Sequence, residues 1–161
     1  MELWELVARE SIRDLVARYN ANGDAGRFDQ MLAVFAEDAV MELVSEAGEV
    51  RRYEGVDQIA TIFTATKVTW DAVVESAAPA APRARPAGRP RHHVRHFVAT
   101  HQIDVEDEAH ARGRSYFVVL MSHGVDHWGR YVDEYGVRDG RWLITVRRAI
   151  SDGWSDSGFT G

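Results

Sequence analysis

The stretch "HWGRYVDEYGVRDGRWLITVRRAISDGW" (127–154) decides the fold class. Two runs rich in aromatic and β-branched residues flank Asp139-Gly140, and an Asp-Gly pair in that setting is a strong hairpin signal. Working back from it, "ARGRSYFVVLMSHG" (111–124) reads as a long strand, "DEAH" (107–110) as a turn and "HHVRHFVATHQIDVE" (92–106) as a further strand. The last seventy residues or so therefore form an antiparallel meander. The first half reads differently. Helical spacing of apolar residues predicts a helix from Glu2 to about Asn22, a second over about 26–37 and a third over 56–70, with Ile59, Ile62 and Phe63 inward. Short strands fall at 39–44 and 49–55. About three helices followed by a meander is an α+β pattern.

Composition narrows the function classes. The chain has 161 residues, 45% hydrophobic and 27% charged, which suits one globular domain, and no internal repeat or second domain is visible. No apolar run reaches the ~20 residues of a membrane span, and the acidic start "MELWELVARESIRD" is unlike a signal peptide. There is no cysteine, so disulfides, thiol catalysis and cysteine metal sites are excluded and a cytoplasmic location is the default expectation. A net charge of −6 gives no reason to expect nucleic acid as a partner. Lys67 is the single lysine against 18 arginines, which leaves Schiff-base chemistry only that residue. "ESAAPAAPRARPAGRPR" (75–91) holds all four prolines and little to bury; the segment from about 71 to 91 is expected to be a mobile surface loop.

The residues that could carry chemistry are histidines, tyrosines and carboxylates. On helix one, Leu3, Leu6, Val7, Ser11, Leu15, Val16 and Tyr19 form one stripe, and Gly23 is the expected helix stop. Asp24 then stands in the joint between two helices, either as the N-cap of the second or as a carboxylate held for catalysis. His96, in the strand "VRHFVATH", can take and return a proton at neutral pH, and a carboxylate on its other ring nitrogen would fix its tautomer. A solvent-facing strand histidine is the plainer reading. Tyr19 is either a core tyrosine or a donor to a developing oxyanion. Tyr131, Asp133 and Tyr135 alternate and so share one face, a pocket wall or an interface. His123 is a second candidate acid or base, while Trp70, Phe97, Phe117 and Met121 are candidates for an apolar wall or for plain core packing. "HHVRHFVATH" sends His92 and His96 to one strand face and His93 to the other, without a recognisable metal-ligand pattern, so no metal and no cofactor are expected. Signals for nucleophile elbows, phosphate loops and dinucleotide folds are missing from the sequence.

Three stretches together, "IRDLVARYNANGDAGRFDQMLAVFAEDAVMEL", "RHFVATHQIDVEDEAHARGRSYFV" and "GRYVDEYGVRDGRWLITVRRAISD", resemble the SnoaL-like group of the nuclear transport factor 2-like superfamily. The resemblance implies a single domain over 1–161 in which a curved antiparallel sheet wraps around the helices as a cone with a deep pocket, a cystatin-like α+β barrel. Within the superfamily the pattern is most similar to the scytalone dehydratase and hexachlorocyclohexane dehydrochlorinase branch. Members of that branch place an Asp just past helix one and a His on the first long strand, which implies a catalytic pair at Asp24 and His96. Ketosteroid isomerases of the superfamily match at Tyr19, their oxyanion-hole tyrosine. At the position of their general-base Asp, however, this chain has Leu43, with Glu42 expected on the opposite strand face. The implied activity is a cofactor-independent lyase, dehydratase-like, acting on a small apolar or aromatic metabolite. His96 would act as base, Asp24 would orient it, and Tyr19, with Tyr131, would stabilise an enolate. The same resemblance leaves open a cyclase or isomerase in the same pocket, and a non-catalytic ligand binder or structural subunit.

The strand "SYFVVLMS" is apolar on both alternations, through Phe117, Val119 and Met121 and through Tyr116, Val118 and Leu120. A sheet with one wet side would be polar on one of them. Both faces are thus expected to be covered, the outer one by a second copy, in a homodimer or homotrimer. Light scattering at micromolar concentration should give a multiple of the 18.1 kDa chain mass; a clean monomer overturns the expectation.

Overall fold

The computed structural model describes residues 2–64, 93–156 and 158. Helix α1 spans Leu3–Asp24 and the short α2 spans Phe28–Leu32. Strands β1 (Phe35–Val44) and β2 (Val50–Glu54) follow, then helix α3, described over 56–64. Strands β3 (Arg95–Val105), β4 (His110–Met121), β5 (Gly124–Arg138) and β6 (Arg141–Trp154) complete the set. They form one curved, open six-stranded sheet in the order β2-β1-β6-β5-β4-β3. The α+β class is as expected, with helices against the concave face. The expected 71–91 loop and the distal part of the third helix lie outside the described residues.

Four features differ from the expectation. The sheet is not wholly antiparallel, because β1 runs parallel to β6. The second helix ends at Leu32, not near Glu37, and the chain enters the sheet at Phe35. Phe28, Met31, Leu32 and Phe35 keep helical spacing, but the Ile144 amide donates to the Val34 carbonyl at 2.9 Å and draws the segment into pairing with β6. Tertiary hydrogen bonding overrides a weak local preference here. Gly23 does not stop helix one; the helix runs on to Asp24, and Gly26, at φ +68°, is the residue that takes the left-handed turn. The buried stripe of α1 is Ala8, Ile12, Leu15, Val16 and Tyr19. Leu3, Leu6 and Val7 of the expected stripe are exposed, because the first turns of the helix lie outside the main core.

The sheet curves because its ladders are repeatedly interrupted. Extra residues fall at Thr100–His101 in β3, Asp126 in β5, and Thr145 and Asp152 in β6. Each bulge bends its strand and increases the local twist. Thr100 takes φ +53° at the first of these. The core fills the concavity with Ile12, Val16 and Tyr19 of α1, Met31 of α2, Met41 of β1, Ile59 of α3, and Phe117, Tyr131 and Ile144 of the sheet. Tyr131, Asp133 and Tyr135 all turn inward, each no more than 3% exposed. On the convex face Glu42 holds Arg52 at 2.8 Å and Arg148 at 2.6 Å, opposite in direction to Leu43, which packs against the core.

Gly129 marks the tightest point of this packing. A Cβ there would sit 2.0 Å from the Ile150 carbonyl oxygen and 2.8 Å from Phe117 Cζ. Gly129→Ala should therefore destabilise by roughly 1–3 kcal/mol through overpacking, read as a lower urea midpoint with an unchanged slope.

Candidate active site

The last residue of α1 and the second residue of β3 meet on the concave face. Asp24 Oδ1 lies 2.6 Å from His96 Nδ1, and its Oδ2 accepts the His96 backbone N–H at 2.9 Å. One carboxylate therefore holds both the ring and the main chain of His96. It does not serve as a cap: the N-cap position of α2 is Arg27, with no side-chain capping bond. The Asp24 side chain is 10% exposed and that of His96 25%. The ring is thus reachable while its partner is withdrawn. With Nδ1 on the carboxylate, Nε2 is the nitrogen free to exchange a proton.

Below this pair lies a buried charge. Arg147 is fully buried and makes a bidentate contact with Asp133, Nε to Oδ1 at 2.9 Å and Nη2 to Oδ2 at 2.7 Å. Its guanidinium lies 4.3 Å from the ring centroids of both Tyr19 and Tyr131. Burial opposes its charge, but Asp133 more than offsets this and the arginine pKa is raised. Burial is also the main cause that raises the hydroxyls of Tyr19 and Tyr131, so both remain protonated donors at neutral pH. Tyr131 donates to Asn20 Oδ1 at 3.2 Å, and Tyr135 donates to Asp133 Oδ2 at 2.8 Å. Arg147 Nη1 and Ser115 Oγ are buried without a hydrogen-bond partner among the described residues.

The expected site residues therefore separate into groups. Asp24, His96, Tyr19, Tyr131 and Phe117 come together, with Phe117 stacked on Tyr131 at 4.7 Å. Met121 packs at the edge of the core. Asp133 lies under the site, with both oxygens engaged by Arg147. His123 is bound to Asp126 at 3.1 Å, near the β4–β5 turn. Phe97 is not part of the wall: it is 56% exposed on the outer face, because its odd position alternates with His96. Trp70 lies outside the described residues. No group of three metal-binding side chains occurs among the described residues.

Sequence reasoning missed Arg147, Asp126, His127 and Trp154. His127 was within reach, because it continues the alternation of Tyr131, Asp133 and Tyr135 by two steps of two. Asp126 and Arg147 were not, since their orientation depends on bulges. A separate apolar groove of about 570 Å³, lined by Leu3, Trp4, Val7 and Trp142 among others, opens at the other end of β5 and holds none of these groups.

The comparisons agree with this architecture. Residues 4–148 match the SnoaL-like domain model, and the chain belongs to that family, within the nuclear transport factor 2-like superfamily. A candidate scytalone dehydratase from Novosphingobium aromaticivorans is similar in structure, with TM-score 0.70 and 18% identity over 97% of this chain and 91% of that one. A type 2 hexachlorocyclohexane dehydrochlorinase, LinA, matches with TM-score 0.67 and 14% identity over 96% and 92%. A candidate β subunit of an aromatic-ring-hydroxylating dioxygenase from N. aromaticivorans matches with TM-score 0.69 and 17% identity over 96% and 95%. No curated protein sequence matches the chain. Among the described residues, no helix is long and apolar enough to cross a membrane.

Removing one member of the buried ion pair should be costly. Asp133→Ala leaves the Arg147 charge without its counter-ion and is expected to lose about 3–5 kcal/mol, whereas Asp133→Leu with Arg147→Met should lose less. Urea unfolding of the two variants checks the difference.

Proposed function

We propose that this protein is a cofactor-independent lyase of the dehydratase type, acting on a small apolar or aromatic metabolite. The observation that supports it best is the double contact of Asp24 with His96. His96 Nε2 removes a proton next to an electron-withdrawing group, and Asp24 stabilises the resulting imidazolium. Negative charge that develops on the substrate oxygen is met by the neutral hydroxyl of Tyr19, and by that of Tyr131 once it leaves Asn20, with the Arg147 charge buried beside both rings, in a setting of low polarity where such groups act strongly. The proton then passes from His96 to the leaving hydroxyl, which departs as water. The neighbours described as a candidate scytalone dehydratase and a dehydrochlorinase make an elimination the favoured reaction class. Leu43 counts against the isomerase alternative, since it offers no base at the corresponding strand position. The chain is further proposed to act as a homodimer or homotrimer, since Phe97 and Tyr116 are 56% and 54% exposed on the convex face of the sheet.

The test is a panel of β-hydroxy carbonyl compounds, with water loss followed by the absorbance of the conjugated product. His96→Ala and Asp24→Asn should keep the fold, by circular dichroism, and lose ~10²–10⁴-fold in turnover. Undiminished turnover in His96→Ala places the base elsewhere. Deuterium incorporation next to the carbonyl without water loss would favour an isomerase or cyclase.

A further inference from the structure

The cross-strand row that carries His96 continues across the sheet. His96 opposes Val119, Val119 opposes His127, and His127 opposes Trp154. Both imidazoles therefore rise from the same face, with only the Val119 side chain between them. Their ring centroids are 6.4 Å apart and the rings stand at 84° to one another. Phe117 lies beside both, 6.4 Å from His96 and 5.9 Å from His127. Trp154 stacks on His127 at 4.3 Å.

The bulge in β5 is what fixes His127. Val119 pairs with His127 while Leu120 pairs with Val125, so Asp126 is the extra residue. A bulge lets neighbouring side chains share a side of the sheet where a regular strand would send them to opposite faces. The Asp126 side chain is 1% exposed, and its Oδ2 lies 2.7 Å from His127 Nδ1. A carboxylate on Nδ1 makes that nitrogen the N–H of the neutral ring and leaves Nε2 with its lone pair. Nε2 has no hydrogen-bond partner among the described residues. Burial lowers the affinity of the ring for a second proton; Asp126 opposes this and His96 adds to it. The neutral acceptor form therefore persists at pH 7.

We propose that His127 is a hydroxyl-binding residue of the substrate site: its Nε2 accepts a hydrogen bond from a phenolic or enolic hydroxyl, while Phe117 and Trp154 flank the carbon skeleton. This rests on the reading of the concave face as the substrate site, and it narrows the substrate class to hydroxylated aromatic or enolic compounds. No bond is made or broken at His127. An acidic hydroxyl is the donor a neutral imidazole accepts best, whereas an ether or methyl at that place would leave a desolvated lone pair unsatisfied.

The probes are 4-chlorophenol and 4-chlorotoluene, which have nearly the same shape and differ in a hydroxyl against a methyl. The ratio of their Kd values (toluene over phenol) should fall roughly fivefold in His127→Phe and stay unchanged in His96→Gln. In ¹⁵N spectra of the wild-type protein, His127 Nε2 should resonate as an unprotonated nitrogen. It should move upfield on saturation with the phenol and not with the toluene, while Nδ1 stays protonated. This readout needs no variant to fold. Absence of saturable phenol binding, an unmoved Nε2 resonance at saturation, or an unchanged ratio in His127→Phe overturns the proposal. The lyase reading fails separately: full turnover in His96→Ala with the phenol preference intact would remove the base and leave the hydroxyl subsite standing.

Discussion

The structure turns on one buried charge. Arg147 carries a full positive charge at a place with no access to solvent, and everything around it answers that constraint. Asp133 neutralises it through two parallel hydrogen bonds, and the rings of Tyr19 and Tyr131, set at 84° to one another, both lie 4.3 Å from the guanidinium. The contacts tie α1 to β5 and β6, so the helix is held against the sheet by ring faces as well as by apolar area. Such a pair is a doubtful source of net stability, since desolvation of two ions consumes most of their attraction. Its geometry does fix a positive charge beside the rings of Tyr19 and Tyr131, with Nη1 unpartnered among the described residues.

On this base the candidate chemistry sits at the joint of two elements far apart in sequence. Asp24 ends α1 and His96 opens β3, and the carboxylate bonds the His96 main chain as well as its ring. The backbone bond matters because β3 is one of the two edge strands of the sheet. An edge strand has one unpaired side, and a contact from the helix terminus gives this one a fixed position. Imidazole orientation is thus inherited from the packing of α1 on the sheet, not from a local turn. Asp126 and His127 solve the same problem differently, with adjacent residues brought to one side by a bulge.

Much of this was legible in advance, for identifiable reasons. The Asp139-Gly140 turn and the flanking alternation mark a hairpin, since a tight turn needs residues that accept positive φ, and Asp139 and Gly140 do, at +51° and +73°. The two-residue period of a strand placed Tyr131, Asp133 and Tyr135 on one face. Asp24 and His96 stood out through resemblance and not through spacing. A carboxylate after a helix and a histidine on a strand have plainer uses, and nothing local distinguishes them. The second helix was overestimated because helical spacing at Phe28, Met31, Leu32 and Phe35 is compatible with a chain that turns into a strand.

What the sequence determined by itself was the order and type of most elements and the parity of the residues within each strand. What only the tertiary structure decided was which residues face one another across strands. Continued from the hairpin turn, a regular ladder would set Asp133 opposite Val146 and turn Arg147 outward beside Val132. The extra residue at Thr145 shifts the register by one, so Arg147 opposes Asp133 and points into the core. The parallel pairing of β1 with β6 is of the same kind, being fixed by hydrogen bonds between segments a hundred residues apart. The physical reason is the period of the β-strand. A slip of one residue exchanges inside for outside, and the bulges that set the slip are chosen by packing across the whole sheet, which no local stretch of sequence contains.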